Sequence, residues 1–160
     1  NIMFLTSFKI NNHFKETIKT EILGLKKNWK KDLNNVKALT SDFFPNYLFF
    51  DILKKQISNK LFDLTKSKYK ASCWWANYYD IGHYADTHSH WEAAQPEGIS
   101  SIIIIKTDKS NPLYFDFDPG ILNVKEEEGL VLLFDSKIKH GVNKCKDSRI
   151  TFAIDFVRDI

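Results

Sequence analysis

Arginine is almost missing from this chain: Arg149 and Arg158 stand alone against 21 lysines. Cysteine is equally scarce, and Cys73 and Cys145 make no disulfide framework and no CxxC pair. Six glycines and four prolines exclude collagen-like and low-complexity linker sequence. No apolar run approaches the roughly 18 residues that a membrane span requires. No purely aliphatic stretch is longer than the four residues of Ile102 to Ile105. The opening residues, Asn1-Ile-Met-Phe-Leu, carry no basic leader and no small-residue cleavage site, so no secretory signal is expected. Taken together, these absences point to a soluble protein of the cytoplasm.

Apolar material, by contrast, is ample. The hydrophobic fraction is 43% and the aromatic fraction 14%, which excludes a disordered chain. A length of 160 residues is expected to make one domain, with residues 1–70 as a helical support and 71–160 as a β-rich core. The net charge of +3 hides an asymmetry: residues 1–70 hold 14 lysines and 6 acids (+8), and residues 71–160 hold 9 basic and 14 acidic residues (−5). A basic half can signal nucleic acid, but these lysines fall at helical spacing, with no arginine and no aromatic interleaving. They read as a solvated helix face, and a nucleic-acid partner is not expected.

Phe14, Ile18, Ile22, Leu25, Trp29 and Leu33 recur at steps of three and four, which predicts a helix with Asn11 or Asn12 as its N-cap and Asn34-Asn35 as its end. A second helix is predicted after Pro45, with Leu48, Ile52, Leu53, Ile57, Leu61 and Phe62 on one face. Near residue 70 the pattern changes to short β-type runs: Cys73 to Tyr79, Ser101 to Lys106, Leu113 to Asp118, Gly129 to Phe134 and Ile150 to Val157. Turn signals at Pro96 to Gly98, Asp108 to Pro112, Asp118 to Gly120 and Lys144 to Ser148 separate them. Helices followed by strands predict an α+β fold, with helices packed on antiparallel sheet.

Four of the five histidines lie in the β half: His83, His88 and His90 together, and His140 fifty residues beyond His90. If the segment is extended, period-two alternation turns His88 and His90 to one face, as two ligands of one metal must be. Imidazole suits iron, zinc, copper and nickel, so residue type alone does not name the metal. His83, directly after Gly82 in a predicted turn, reads as solvent-facing, and His13 has no partner in sequence.

The wider context is Tyr79-x-x-Gly82-x5-His88-x-His90, then Gly129-x5-Asp135, His140, and Arg149-Ile-Thr151. Over about residues 74–157 this order and spacing resembles the 2-oxoglutarate/Fe(II)-dependent dioxygenase superfamily, in particular its prolyl-hydroxylase-like branch and the group of oxygenases within it that carry His-x-His. The resemblance implies a double-stranded β-helix, or jelly roll, as the core. It implies His88 as the first iron ligand and His140 as the distal one. Arg149 would pair with the far carboxylate of 2-oxoglutarate, with Thr151 beside it and Tyr79 as a further cosubstrate contact. A guanidinium suits that task because it meets a carboxylate with two parallel hydrogen bonds, which lysine cannot do. Asn77, on the face of Tyr79 by alternation, joins the cofactor-binding candidates. The alternative for Arg149 is a salt bridge to Asp147 or Asp155, and for Tyr79 simple packing in an aromatic strand. Trp91 either walls the substrate entrance or packs.

One departure bears on the chemistry. The usual iron-binding face is two histidines and a carboxylate, and here His90 stands where the acid is expected. Three readings stay open: a three-histidine face of His88, His90 and His140; Asp86 as the carboxylate, with Glu92 behind it; or a site without iron. The expected activity is Fe(II)- and 2-oxoglutarate-dependent hydroxylation of an amino acid, a peptide or a small metabolite. Two other classes compete. A cupin-type metalloprotein fits the same glycine-histidine spacing and the same jelly roll, but it lacks a suitably placed glutamate and leaves Arg149 idle. A non-catalytic binding module would use the N-terminal lysines and need no metal.

Overall fold

The computed structural model describes residues 5–26, 29–33, 35–90 and 98–160. Its strands lie in one 11-stranded sheet. One wall consists, in spatial order, of β1 (Leu5–Lys9), β9 (Leu130–Asp135), β6 (Ile99–Lys106), β11 (Arg149–Arg158) and β4 (Tyr69–Tyr79). From β4 the path runs through β3 (Val36–Thr40) into a second wall of β5 (Tyr84–His88), β10 (Lys139–Val142), β7 (Leu113–Asp116) and β8 (Ile121–Asn123). Off this path, β2 (Lys30–Leu33) pairs with β3. The sheet folds over on itself, so Ile102, Ile104 and Phe134 of the first wall share one buried cluster with Leu113, Phe115 and Val142 of the second. This is the double-stranded β-helix, or jelly roll, of an α+β protein, with helices packed on its outer face.

Alternation explains why the aliphatic run at 102–105 has no polar side. Ile102 and Ile104 point into the roll, whereas Ile103 and Ile105 belong to the outer cluster with the helices. A strand buried on both faces reads as a continuous hydrophobic run. The outer cluster is completed by Ile18 and Ile22 of α1 (Asn12–Gly24) and by Leu53, Ile57 and Leu61 of α2 (Phe50–Thr65), all with no exposure. Burying such a side chain contributes roughly 1.5–3 kcal/mol each, enough to fix both helices on the sheet. Asn11 is the N-cap of α1, its side chain accepting the Phe14 N–H at 2.7 Å.

The helical expectation for residues 1–70 holds for the presence of α1 and α2 but not for the whole region, which also carries β1, β2 and β3. The face expected of the second helix is only partly right: Leu53, Ile57 and Leu61 are buried, whereas Leu48 precedes α2 and is exposed, as are Ile52 and Phe62. The first helix ends at Gly24, where the Leu25 N–H turns back to the carbonyls of Glu21 and Ile22. Trp29 and Leu33 therefore lie outside it, and Lys30–Leu33 is a strand. The step of four from Leu25 to Trp29 to Leu33 misleads for a simple reason: four is also an even number, and a strand preserves it as well as a helix does. No described helix is long and apolar enough to cross a membrane.

Candidate metal centre

Three imidazoles converge inside the roll. His88 ends β5, His140 stands directly opposite it on β10 in the antiparallel register, and His90 follows two residues beyond the end of β5. Their ring centroids are 5.3 Å (His88–His90), 4.6 Å (His88–His140) and 4.8 Å (His90–His140) apart. One nitrogen from each ring lies within 4.8 Å of the others. Gly82 shapes the approach: at φ +82° it closes the turn between β4 and β5, a backbone region that favours glycine. Its N–H donates to the Cys145 carbonyl at 2.7 Å, which ties this turn to the segment leading into β11.

Each ring is held by its Nδ1. That of His88 lies 2.6 Å from the Asp86 carbonyl, that of His140 lies 3.2 Å from the Ile138 carbonyl, and that of His90 lies 2.9 Å from Asp155 Oδ1. A carbonyl oxygen only accepts, so Nδ1 of His88 and of His140 must carry the hydrogen, and Nε2 is left with its lone pair. Burial pushes the His140 imidazole well below its ordinary pKa, assisted by the neighbouring His90 and His88 rings. Burial also lowers that of His88, against the pull of the Asp86 carbonyl. Neutral rings with free, inward lone pairs are what a divalent metal requires. Neither thiol belongs to this group of potential ligands; burial raises Cys73 to about 11 and Cys145 to about 12.

The same cavity is lined by Tyr79, Asn77, Arg149 and Thr151. Strand pairing places them, with Arg149 opposite Tyr79 and Thr151 opposite Asn77 across β11 and β4. Arg149 has no exposure, and its guanidinium carbon lies 5.0 Å from the Tyr79 ring centroid. Its Nε–H donates to Glu126, 2.9 Å from Oε1 and 3.1 Å from Oε2, while its Nη2 has no partner among the described residues. Burial lifts the Tyr79 hydroxyl to about 12, partly opposed by Arg149, so the tyrosine offers a neutral O–H. The Asn77 carbonyl oxygen accepts the Thr40 hydroxyl at 3.1 Å.

No family model and no curated protein matches the sequence, but solved structures do match the fold. A prolyl-4-hydroxylase from Pseudomonas putida superposes with a TM-score of 0.79 at 10% identity, over 98% of this chain and 93% of that one. A viral collagen prolyl hydroxylase from Paramecium Bursaria Chlorella virus-1, solved as a 2OG complex, gives 0.72 at 13% identity, over 98% and 97%. A prolyl hydroxylase from Trichoplax adhaerens, in complex with a hypoxia inducible factor peptide fragment, gives 0.76 at 10%, over 95% and 82%. This chain has the fold of the 2OG-Fe(II) oxygenases.

Within that oxygenase fold, the structure gathers His88, His90, His140, Arg149, Thr151, Tyr79 and Asn77 around one cavity. Asp86 is not in the histidine group; its side chain is exposed, and its carbonyl serves His88 instead. Trp91 and Glu92 lie outside the described residues. His83 takes part in the turn before β5, its Nδ1 accepting the Asp80 N–H at 2.9 Å, and His13 is exposed on α1. The ion pair considered for Arg149 exists, but with Glu126 rather than Asp147 or Asp155. Glu126 escaped the sequence reading because it lies in the loop before β9, where no periodicity aims a side chain. Asp155 had a readable signal: it alternates with Arg149 and Thr151 along β11 and is the single acid of that strand.

The residues fit the groups this fold implies. Three ring nitrogens within 4.8 Å of one another suit a metal ion, and a buried guanidinium nitrogen with no partner among the described residues, on an arginine that lines the same cavity, suits a carboxylate.

Proposed function

We propose that the chain is a non-haem Fe(II)- and 2-oxoglutarate-dependent oxygenase. In this reading His88, His90 and His140 hold the iron, and Arg149, Thr151, Tyr79 and Asn77 receive the cosubstrate. The observation that carries it is the pairing, in one cavity, of three histidines whose Nδ1 atoms are committed with an arginine whose Nη2 is buried and has no partner among the described residues. When bound, iron and 2-oxoglutarate would supply oxygen activation coupled to loss of CO2, and with it hydroxylation of a substrate C–H bond. The chain's own tasks are geometric and electrostatic. Nδ1 contacts fix the rings, Arg149 and the Thr151 and Tyr79 hydroxyls meet the far end of a dicarboxylate, and the apolar interior excludes water. An amino acid, a peptide or a small metabolite is the substrate class, and a cytoplasmic location accompanies this reading.

The test is spectroscopic. Anaerobic protein loaded with Fe(II) is titrated with 2-oxoglutarate, and a weak charge-transfer band near ~500–550 nm is the expected sign of keto-acid chelation at an open non-haem iron site. Bound iron with no band would favour a jelly-roll metalloprotein that does not use 2-oxoglutarate. Failure to bind iron would end the oxygenase reading.

A further inference from the structure

The three histidines are not held alike. His88 and His140 lean on neutral backbone carbonyls, whereas His90 leans on a carboxylate. That carboxylate, Asp155, has no exposure and sits on the inward face of β11 with Arg149, Thr151 and Ala153. Its Oδ1 receives the Ser100 hydroxyl at 2.8 Å and lies 2.9 Å from His90 Nδ1, which is also 3.2 Å from Ser100 Oγ, and Ser100 is braced in turn by Ser136 at 2.8 Å. The His90 backbone N–H donates to the Ser136 carbonyl at 2.9 Å, so ring and main chain are both fixed.

Stability alone does not explain this acid. Its Oδ2 is buried with no partner among the described residues. Leaving such an acceptor unmet costs on the order of 1–3 kcal/mol, and neighbouring positions on the strand are filled by Ile, Phe and Ala. A structural anchor for Ser100 needs only one neutral acceptor. A carboxylate earns its place where a fixed imidazole must also be made a stronger donor.

We infer that Asp155 is a positioning residue for His90. It holds the ring with hydrogen on Nδ1, aims Nε2 into the cavity, and returns from one bond further out the negative charge that an aspartate in the place of His90 would have given the metal directly. A histidine that donates its second nitrogen to a carboxylate is oriented by that partner and made more basic toward the metal. The inference rests on the reading of the three histidines as metal ligands, but its first test does not.

In metal-free protein, two-bond nitrogen–proton correlation spectra of the ring report which nitrogen of His90 carries hydrogen. Nδ1–H in the wild type is expected; Nε2–H would overturn the inference whatever the site binds. The second test is Co(II) affinity. Asp155→Asn keeps the shape but presents a carboxamide that can face His90 with either atom. It should weaken Co(II) binding by about 10- to 100-fold and leave His90 as a mixture of tautomers. In a His90→Ala background, the same change should weaken binding no further, which a merely structural aspartate would not obey. Wild-type affinity in Asp155→Asn with an unchanged tautomer would overturn the proposal. If Asp155→Asn does not fold, the wild-type spectrum still decides. Wild-type protein with the Nδ1–H tautomer and no Co(II) binding would sink the metal reading and leave the positioning of the ring standing.

Discussion

Arg149 gives its Nε edge to Glu126, while its Nη2 has no partner among the described residues, so one buried guanidinium in the wall of the cavity is only half committed to the protein. Glu126 is itself fixed, since its Oε2 accepts the Leu113 N–H at 3.1 Å and its own N–H donates to Asn111 Oδ1 at 2.9 Å. The pair presents a pre-oriented donor, and the energy of orienting it is supplied by folding rather than by the ligand.

That arrangement changes what an alanine at 149 would report. Removing the guanidinium leaves Glu126 buried without its counter-charge, a loss of about 3–5 kcal/mol. Arg149→Ala should therefore lower the urea midpoint strongly as well as abolish 2-oxoglutarate binding. Arg149→Gln is the cleaner probe, because it can still donate to Glu126. Fe(II) should bind this variant as in the wild type, while 2-oxoglutarate affinity falls by at least tenfold in an anaerobic titration. Loss of the metal as well would mean that Arg149 holds up the whole site rather than the cosubstrate.

His140→Ala should remove stoichiometric iron. The ring sits between His88, His90, Phe115 and Phe134, so no water-exposed side chain stands ready to replace it. Anaerobic dialysis followed by metal analysis reads the outcome, and full iron occupancy would remove His140 from the ligand set.

Much of this was legible in the sequence, for identifiable reasons. The switch from helical to β-type patterning near residue 70, the strands over Cys73 to Tyr79 and Ile150 to Val157, and the fold class all follow from hydrophobic period. His88 and His90 could be placed on one face because period two requires it. Strands β1, β2, β3, β5, β8 and β10 went unread: they hold three to five residues each, and alternation over so few positions stands out only where turn signals bracket it, as they do for the four residues of β7. The pairing of Glu126 with Arg149 and of Asp155 with His90 depends on which loops and strands fold back together, and one sequence does not display that. Arg149 is the instructive middle case: scarcity marked it, and only the packing shows what it touches.

Gly141 is predicted to tolerate no side chain. A Cβ there would lie 2.6 Å from Cζ of Tyr114, whose hydroxyl bonds Thr87 Oγ1 at 2.6 Å. Gly141 pairs with Tyr114 across β10 and β7, and it is the residue after His140. Gly141→Ala should cost about 1–3 kcal/mol and lower metal affinity by shifting His140. Tyr114→Ala in the same chain should restore the affinity, because it removes the ring that the methyl group strikes. A single variant with wild-type thermal stability would show that the Tyr114 ring swings aside freely.

Asp108 supplies a pH signature remote from the three histidines. Its buried carboxylate accepts the N–H groups of Ser110, Lys146 and Asp147, and so ties the β6–β7 loop to the segment entering β11 at Arg149. Burial by itself would raise its pKa, but the three N–H donors outweigh it and hold the carboxyl below its ordinary value. A carboxyl lowered by folding stabilises the native state above its unfolded pKa, which is about 3.9 for aspartate. The contribution disappears as pH falls through the lower folded value, because the unfolded chain takes up the proton first. The stability gap between wild type and Asp108→Asn should therefore be largest above pH ~5, on the order of 1–3 kcal/mol, and should narrow toward pH ~3. Urea melts at several pH values measure it; a gap that stays constant or widens on acidification would mean that the carboxylate form is not what the three N–H groups hold.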